Sequence, residues 1–140
     1  HMNAAKIAVT ASFIRGVPNY NTDPPTPPYI KDIALYHALP YGLKDMMRKK
    51  IYPESYVNVG SVMDKKKEML AKHKSQKNWL HKSQGLDSYL RTMADMTKEV
   101  GSMSGKFEFS EGWRRHNHLG YSSTDIDPLK DILVDLYFKP

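Results

Sequence analysis

Cysteine is absent from all 140 residues, which excludes a disulfide framework and any thiolate-bound zinc site. Its absence fits any compartment. No apolar run approaches the roughly 20 residues that a membrane-spanning helix needs, so no membrane partner is expected. Acidic residues are in the minority, 15 against 21 Lys and Arg, leaving a formal charge of +6. Such an excess attracts nucleic acids, anionic membranes and acidic substrates. The cations gather at 44–50, 65–82 and 114–115, with no recognised nucleic-acid motif around them. Solvated, Lys-rich helix faces account for them, and no nucleic-acid partner is expected. Proline and glycine, nine and eight residues, are too few for a low-complexity chain.

What is present reads as one domain's worth of alternating helices and strands. Ile7, Ala8, Ala11 and Ile14 form a helical stripe over 4–14, with Asn3 as its N-cap and Gly16 and Pro18 as its stop. The proline-rich segment 22–28 is an extended connector. Residues 33–38 read as a buried strand ending at His37, and 56–59 as a second strand with Tyr56 or Val57 turned inward. Ser61 and Asp64 suggest a capped helix start. The helix that follows carries Val62, Met69, His73, Gln76 and Leu80 on one stripe. Gly85 breaks it. A further helix places Leu86, Leu90, Met93, Met96, Thr97 and Val100 on its apolar face, with Gly101 as the residue that ends it. The alternation in 106–109 predicts a third strand. Asp127 and Pro128 open a last helix whose apolar face is Leu129, Ile132, Leu133, Leu136 and Tyr137. His1 and Met2 read as a cloning remnant and stand outside the domain, 3–140.

The densest chemistry lies in Glu111-Gly112-Trp113-Arg114-Arg115-His116-Asn117-His118-Leu119-Gly120. Two cations, two imidazoles, a carboxylate and a Trp fall within ten residues. His116 and His118 alternate, so an extended backbone points both to one side. Two imidazoles so placed can bind a metal, shuttle protons or hold an anion. The plainer alternative is a surface segment whose Arg side chains lie over Trp113. His37 closes a strand, and ligands of open α/β sheets gather at the carboxyl ends of strands. His73 and Gln76 share a helix face with apolar residues and suit a supporting role behind such a site.

Three stretches also resemble a known family. Phe109-Ser110-Glu111-Gly112-Trp113-Arg114-Arg115-His116, with His118-Leu119-Gly120, is similar to the C-terminal signature of the PIG-L/LmbE-like deacetylases. Asp64-Lys65-Lys66-Lys67, leading through Met69-Leu70 to His73-Lys74-Ser75-Gln76, resembles the family's "DKK…mL…HxSQ" helix. Val17-Pro18-Asn19, leading to Ile33-Ala34-Leu35-Tyr36-His37, is a third match in the same order. The family comprises zinc-dependent hydrolases that remove acyl groups from N-acyl sugars and related amides. There, zinc polarises the amide carbonyl and activates water, and an Asp acts as base.

The resemblance implies an α/β fold: the C-terminal part of a Rossmann-like, LmbE-like domain with helices packed on a small mixed sheet. The family's "AHPDDE" and "HPDH" zinc motifs do not occur in this sequence. The chain is therefore expected to be the C-terminal part of a deacetylase, inactive alone and without a metal ligand of its own, with zinc expected in the full-length protein. His116 and His118 are the expected oxyanion or substrate contacts. His37, Glu111 and Arg114 are expected beside the substrate, with Glu111 orienting an imidazole, and His73 and Gln76 behind them. All five front residues are expected at one pocket rim or subunit interface. The expected partners are a small N-acyl sugar-like substrate and further copies of the chain, since half a sheet leaves an edge and an apolar face uncovered. Cytoplasmic placement is expected unless a signal peptide precedes this stretch. The alternative reading is a non-catalytic, basic binding or interaction module. The family's zinc and Asp roles are carried over to no residue here.

Overall fold

The computed structural model describes residues 2–84 and 89–140. It is a mixed α/β arrangement. Helix α1 (Met2–Ile14) precedes strand β1 (Tyr36–Ala38), and β2 (Ser55–Asn58) leads to α2 (Met63–Ala71) and α3 (Lys74–Gln84). Helix α4 (Tyr89–Ser104) feeds β3 (Ser110–Arg115), then α5 (Pro128–Leu133) and β4 (Tyr137–Phe138). Short 3-10 turns occupy Tyr41–Leu43, Gly60–Val62 and Val134–Leu136. The sheet runs in the order β1-β3-β2-β4. Every described pairing is antiparallel, so the expected mixed sheet is corrected to an antiparallel one. No described helix is long and apolar enough to cross a membrane.

Helix α4 covers one face of the sheet because its small and apolar residues recur every three or four positions. Thr97, Val100, Gly101 and Ser104 are buried. Leu43, Tyr56 and Val100 form the centre of the core, with Leu39, Met96, Met103, Phe107 and Phe138 packed around them. Of the expected stripe Thr97 and Val100 are buried and Leu90, Met93 and Met96 half-buried; its first member, Leu86, and the helix break at Gly85 lie outside the described residues. Gly101 does not end the helix. It sits one turn inside, where an added Cβ would collide with the Glu108 carbonyl oxygen. The residue was chosen for close approach of the chain, and Gly105 (φ +64°) supplies the left-handed ending instead. The Ser104 hydroxyl then accepts the Lys106 and Phe107 N–H groups. That turn consumes the stretch expected as a strand at 106–109, and the real strand begins at Ser110 and runs into the chemistry-bearing segment.

Several other elements differ from the pattern reading. Asn3 lies within α1 rather than capping it. The α1 stripe is not a core face: Ile7 is exposed, and no residue of the helix is buried. The first strand shortens to three residues at the sheet edge, Tyr36 and His37 half-buried and Ala38 exposed. Ser61 makes no capping bond, since a 3-10 turn precedes α2. The long helix expected after it is broken at Lys72 and His73, and Val62 and Met69 are exposed. The last helix stops at Leu133. Ile132 and Leu136 face solvent, while buried Tyr137 joins the sheet as β4.

Asp127 holds this half of the molecule together. It caps α5 as the sequence predicts, accepting from the Lys130 N–H, with Pro128 in the first turn. Its Oδ1 also accepts the Tyr36 hydroxyl at 2.7 Å and its Oδ2 the Tyr137 hydroxyl at 2.8 Å. Arg115 Nη1 stands 3.4 Å from Oδ2. One carboxylate thus joins β1, β3, β4 and α5. Burial by itself would raise the Asp127 pKa. The hydrogen bonds from the two tyrosines and Lys130, together with the Arg115 charge, outweigh it and hold the group below its ordinary value. Burial and the bond to Asp127 push the Tyr36 phenol well up.

Asp127→Ala should destabilise the fold by about 1–3 kcal/mol in urea unfolding, because two hydroxyls and a guanidinium lose their acceptor. A depressed carboxylate contributes stability above its unfolded pKa and loses it as pH falls through the folded value. The gap between wild type and Asp127→Ala should therefore be full near neutral pH and close below pH 3.8.

Candidate functional site: an imidazole pair and a separate cleft

β3 fixes which side chains can meet. Its register sets His37 opposite Arg114 and Ala38 opposite Trp113. Facing residues on neighbouring strands share a side of the sheet, and so do residues two apart on one strand. Arg114, His116 and His37 therefore project to one side. His116 continues the edge by donating its N–H to the Leu35 carbonyl at 2.8 Å. The two rings meet: His37 Nε2 and His116 Nδ1 are 2.8 Å apart, a hydrogen bond in which one nitrogen donates and the other accepts. Tyr121 stands edge-on to the His116 ring, centroids 5.0 Å apart. Burial, the neighbouring His116 and the Arg114 charge lower the His37 pKa from its ordinary value.

The other expected members are placed differently. Arg114 is exposed, its Nε 4.0 Å from Glu54 Oε1. His118 lies 3.7 Å from Asp125 Oδ1 and shares with His116 a crevice too tight to admit a water-sized molecule. Glu111 does not reach either imidazole. It is five residues before His116, an odd number, which sends the two side chains to opposite sides of an extended strand. Lys66 takes its carboxylate instead, Nζ to Oε1 at 2.8 Å. His73 falls in the break between α2 and α3, and both it and Gln76 are exposed. The expected single rim is therefore corrected to two places: an imidazole pair beside Arg114, and a cleft lined by Glu111.

That cleft has a volume of about 380 Å³. Met93, Met96 and Val100 of α4 form one wall, Leu39 and Leu43 another, and Trp113 a third. Its residues with polar side chains include Lys66, Glu111 and Thr97, with Ser110 and Tyr41 also in the lining. Lys66 belongs to the charge run expected as a solvated helix face, and a charge run carries no signal of which member turns inward. The odd spacing of Glu111 from His116 was such a signal, once the segment is recognised as a strand. Arg115 is structural: its guanidinium binds Asp125 at 2.7 Å and the Ile126 carbonyl at 2.9 Å.

A zinc ion needs three or four converging donors. Among the described residues no group of three or more His, Asp or Glu side chains could hold a metal, and the two nearest imidazole nitrogens are already bonded to each other. The residues present do not fit zinc. No protein-family model, curated protein or solved structure matches the chain.

A His whose folded pKa is depressed binds fewer protons than its unfolded counterpart just below pH 6.5. Stability then falls as pH drops through 6.5 toward the folded value, and levels off below it. Urea unfolding between pH 8 and about pH 5 should show this decline in wild type and a flatter profile in His37→Gln.

Proposed function

We propose that this chain serves an amide-hydrolysing deacetylase of the PIG-L/LmbE type, acting on an N-acyl amino sugar or related amide, and that its part is to hold the oxygen of the reacting carbonyl. The observation that carries this reading is the 2.8 Å contact between His37 and His116 beside Arg114. It joins two of the three stretches that resemble the family. The ion pair of Lys66 with Glu111 joins the other stretch to the signature segment. The Rossmann-like arrangement belongs to the same proposal.

The chemistry asked of the pair needs no metal ligand. Amide hydrolysis adds water to the carbonyl carbon, breaks the C–N bond and returns a proton to the departing amine. Negative charge collects on the carbonyl oxygen in between, and a preorganised N–H donor stabilises it. One proton between His37 Nε2 and His116 Nδ1 fixes both tautomers, leaving the outer nitrogens to face solvent or substrate. If the inner proton sits on His37, His116 Nε2 carries the outward N–H; if it sits on His116, the outward donor is His37 Nδ1. Arg114 adds positive charge on the same side. His118 joins by its place in the signature.

The test is turnover of N-acetylglucosamine-type amides by the protein expressed from its natural reading frame. His116→Ala or His37→Ala should lower kcat by about 10–1000-fold, with little change in the unfolding midpoint. Wild-type turnover in both variants overturns the assignment.

A further inference from the structure

The cleft beside α4 is built from four parts of the chain and opens over the edge of the core, apart from the imidazole pair. Its walls are apolar and deformable: two methionines, Leu39, Leu43 and Trp113. Methionine adapts to irregular shapes and makes favourable contacts with aromatic rings. Its volume, about 380 Å³, lies in the range that holds a small organic molecule.

At its polar end Lys66 is not a surface lysine. Its side chain is 27% exposed and that of Glu111 37%, against 68% and 56% for the neighbouring pair Lys65–Glu68. Lys66 Nζ lies 2.8 Å from Glu111 Oε1 and 3.2 Å from Thr97 Oγ1. An ammonium carries three donors, so one remains, and Glu111 retains its second oxygen. The charges cancel within the pair. The head of a ligand seated here meets one donor and one acceptor with no net charge.

The geometry points to a binding site for a neutral molecule with an aromatic or branched aliphatic body and a primary amide or hydroxyl at its end. Such a group accepts from Lys66 and donates to Glu111 at once. A carboxylate of equal shape gains from Lys66 about what it loses to Glu111, and an ammonium the reverse, so either brings in a charge that is desolvated without net compensation. Burial of the body against Met93, Met96 and Trp113 supplies the affinity, and the ion pair reads the head. The inference does not depend on the hydrolase reading, because binding here requires no turnover.

The experiment uses three matched probes: 4-phenylbutanamide, 4-phenylbutanoate and 4-phenylbutylamine. Binding is followed by the fluorescence of Trp113 in a Trp79→Phe background, which leaves one of the two tryptophans, and by ligand-detected NMR. The amide should bind saturably with a Kd of about millimolar or better, and the acid and amine about tenfold more weakly. Met96→Trp should fill the cleft and abolish binding. Lys66→Met should leave Glu111 unopposed, so that the preference for amide over amine is lost or reversed while that over the acid persists, which loss of a merely structural tether would not do. No saturable amide binding, or equal binding of all three probes to wild type, overturns the proposal. Where Met96→Trp fails to fold, the probe contrast in wild type and Lys66→Met decides by itself.

Discussion

The Asp127 carboxylate is the interaction on which the sheet depends. β1 and β4 are short edge strands, three and two residues long, too short to be held by ladder hydrogen bonds alone. Tyr36 and Tyr137 reach from these two edges to the two oxygens of one residue, and Arg115 reaches from the central strand. Because the group is partly buried, each bond is stronger than it would be in water, and losing one strands its donor. The position of Asp127 at the start of α5 ties the last helix to the same point. The register of β1 on β3, and so the meeting of His37 with His116, follows from this clamp.

The arrangement of candidate groups follows from strand parity. Positions 114 and 116 share a side, and 37 is registered against 114. Position 111 does not belong to that set, and its carboxylate goes to Lys66. The segment with the densest chemistry thus serves two places. One is a proton-holding imidazole pair with an arginine nearby. The other is an apolar cleft closed at one end by a neutral ion pair. Gly112 between them is a packing requirement, since a Cβ there would stand 2.7 Å from Pro53 and 2.9 Å from Leu39.

Much of the apolar surface remains uncovered. Ile7 and Phe13 of α1 are exposed, as are Ile30, Met46 and Met47. Phe13 of α1 stands against Tyr121, and Arg15, just past the helix, binds the carbonyls of Lys31 and Tyr121 through its guanidinium. The periodicity of α1 satisfies the pattern of a buried helix, yet a pattern states only which residues could share a face, and says nothing of what lies opposite.

Local chemistry was legible in the sequence. The cap at Asp127 and the burial of Thr97 and Val100 on α4 each rest on residue type and spacing over a few positions. Pairing was not legible. The strand at 106–109 moved to Ser110–Arg115 because Ser104 captured the preceding amides, and Gly101 proved a contact point because the chain folds back over it. His73 and Gln76 lost their shared face when the helix broke between them and α2. Which lysine of a run turns inward, and which carboxylate it meets, depends on atoms distant in sequence. Spacing sets the side of an element, and only the packing of elements decides what that side faces.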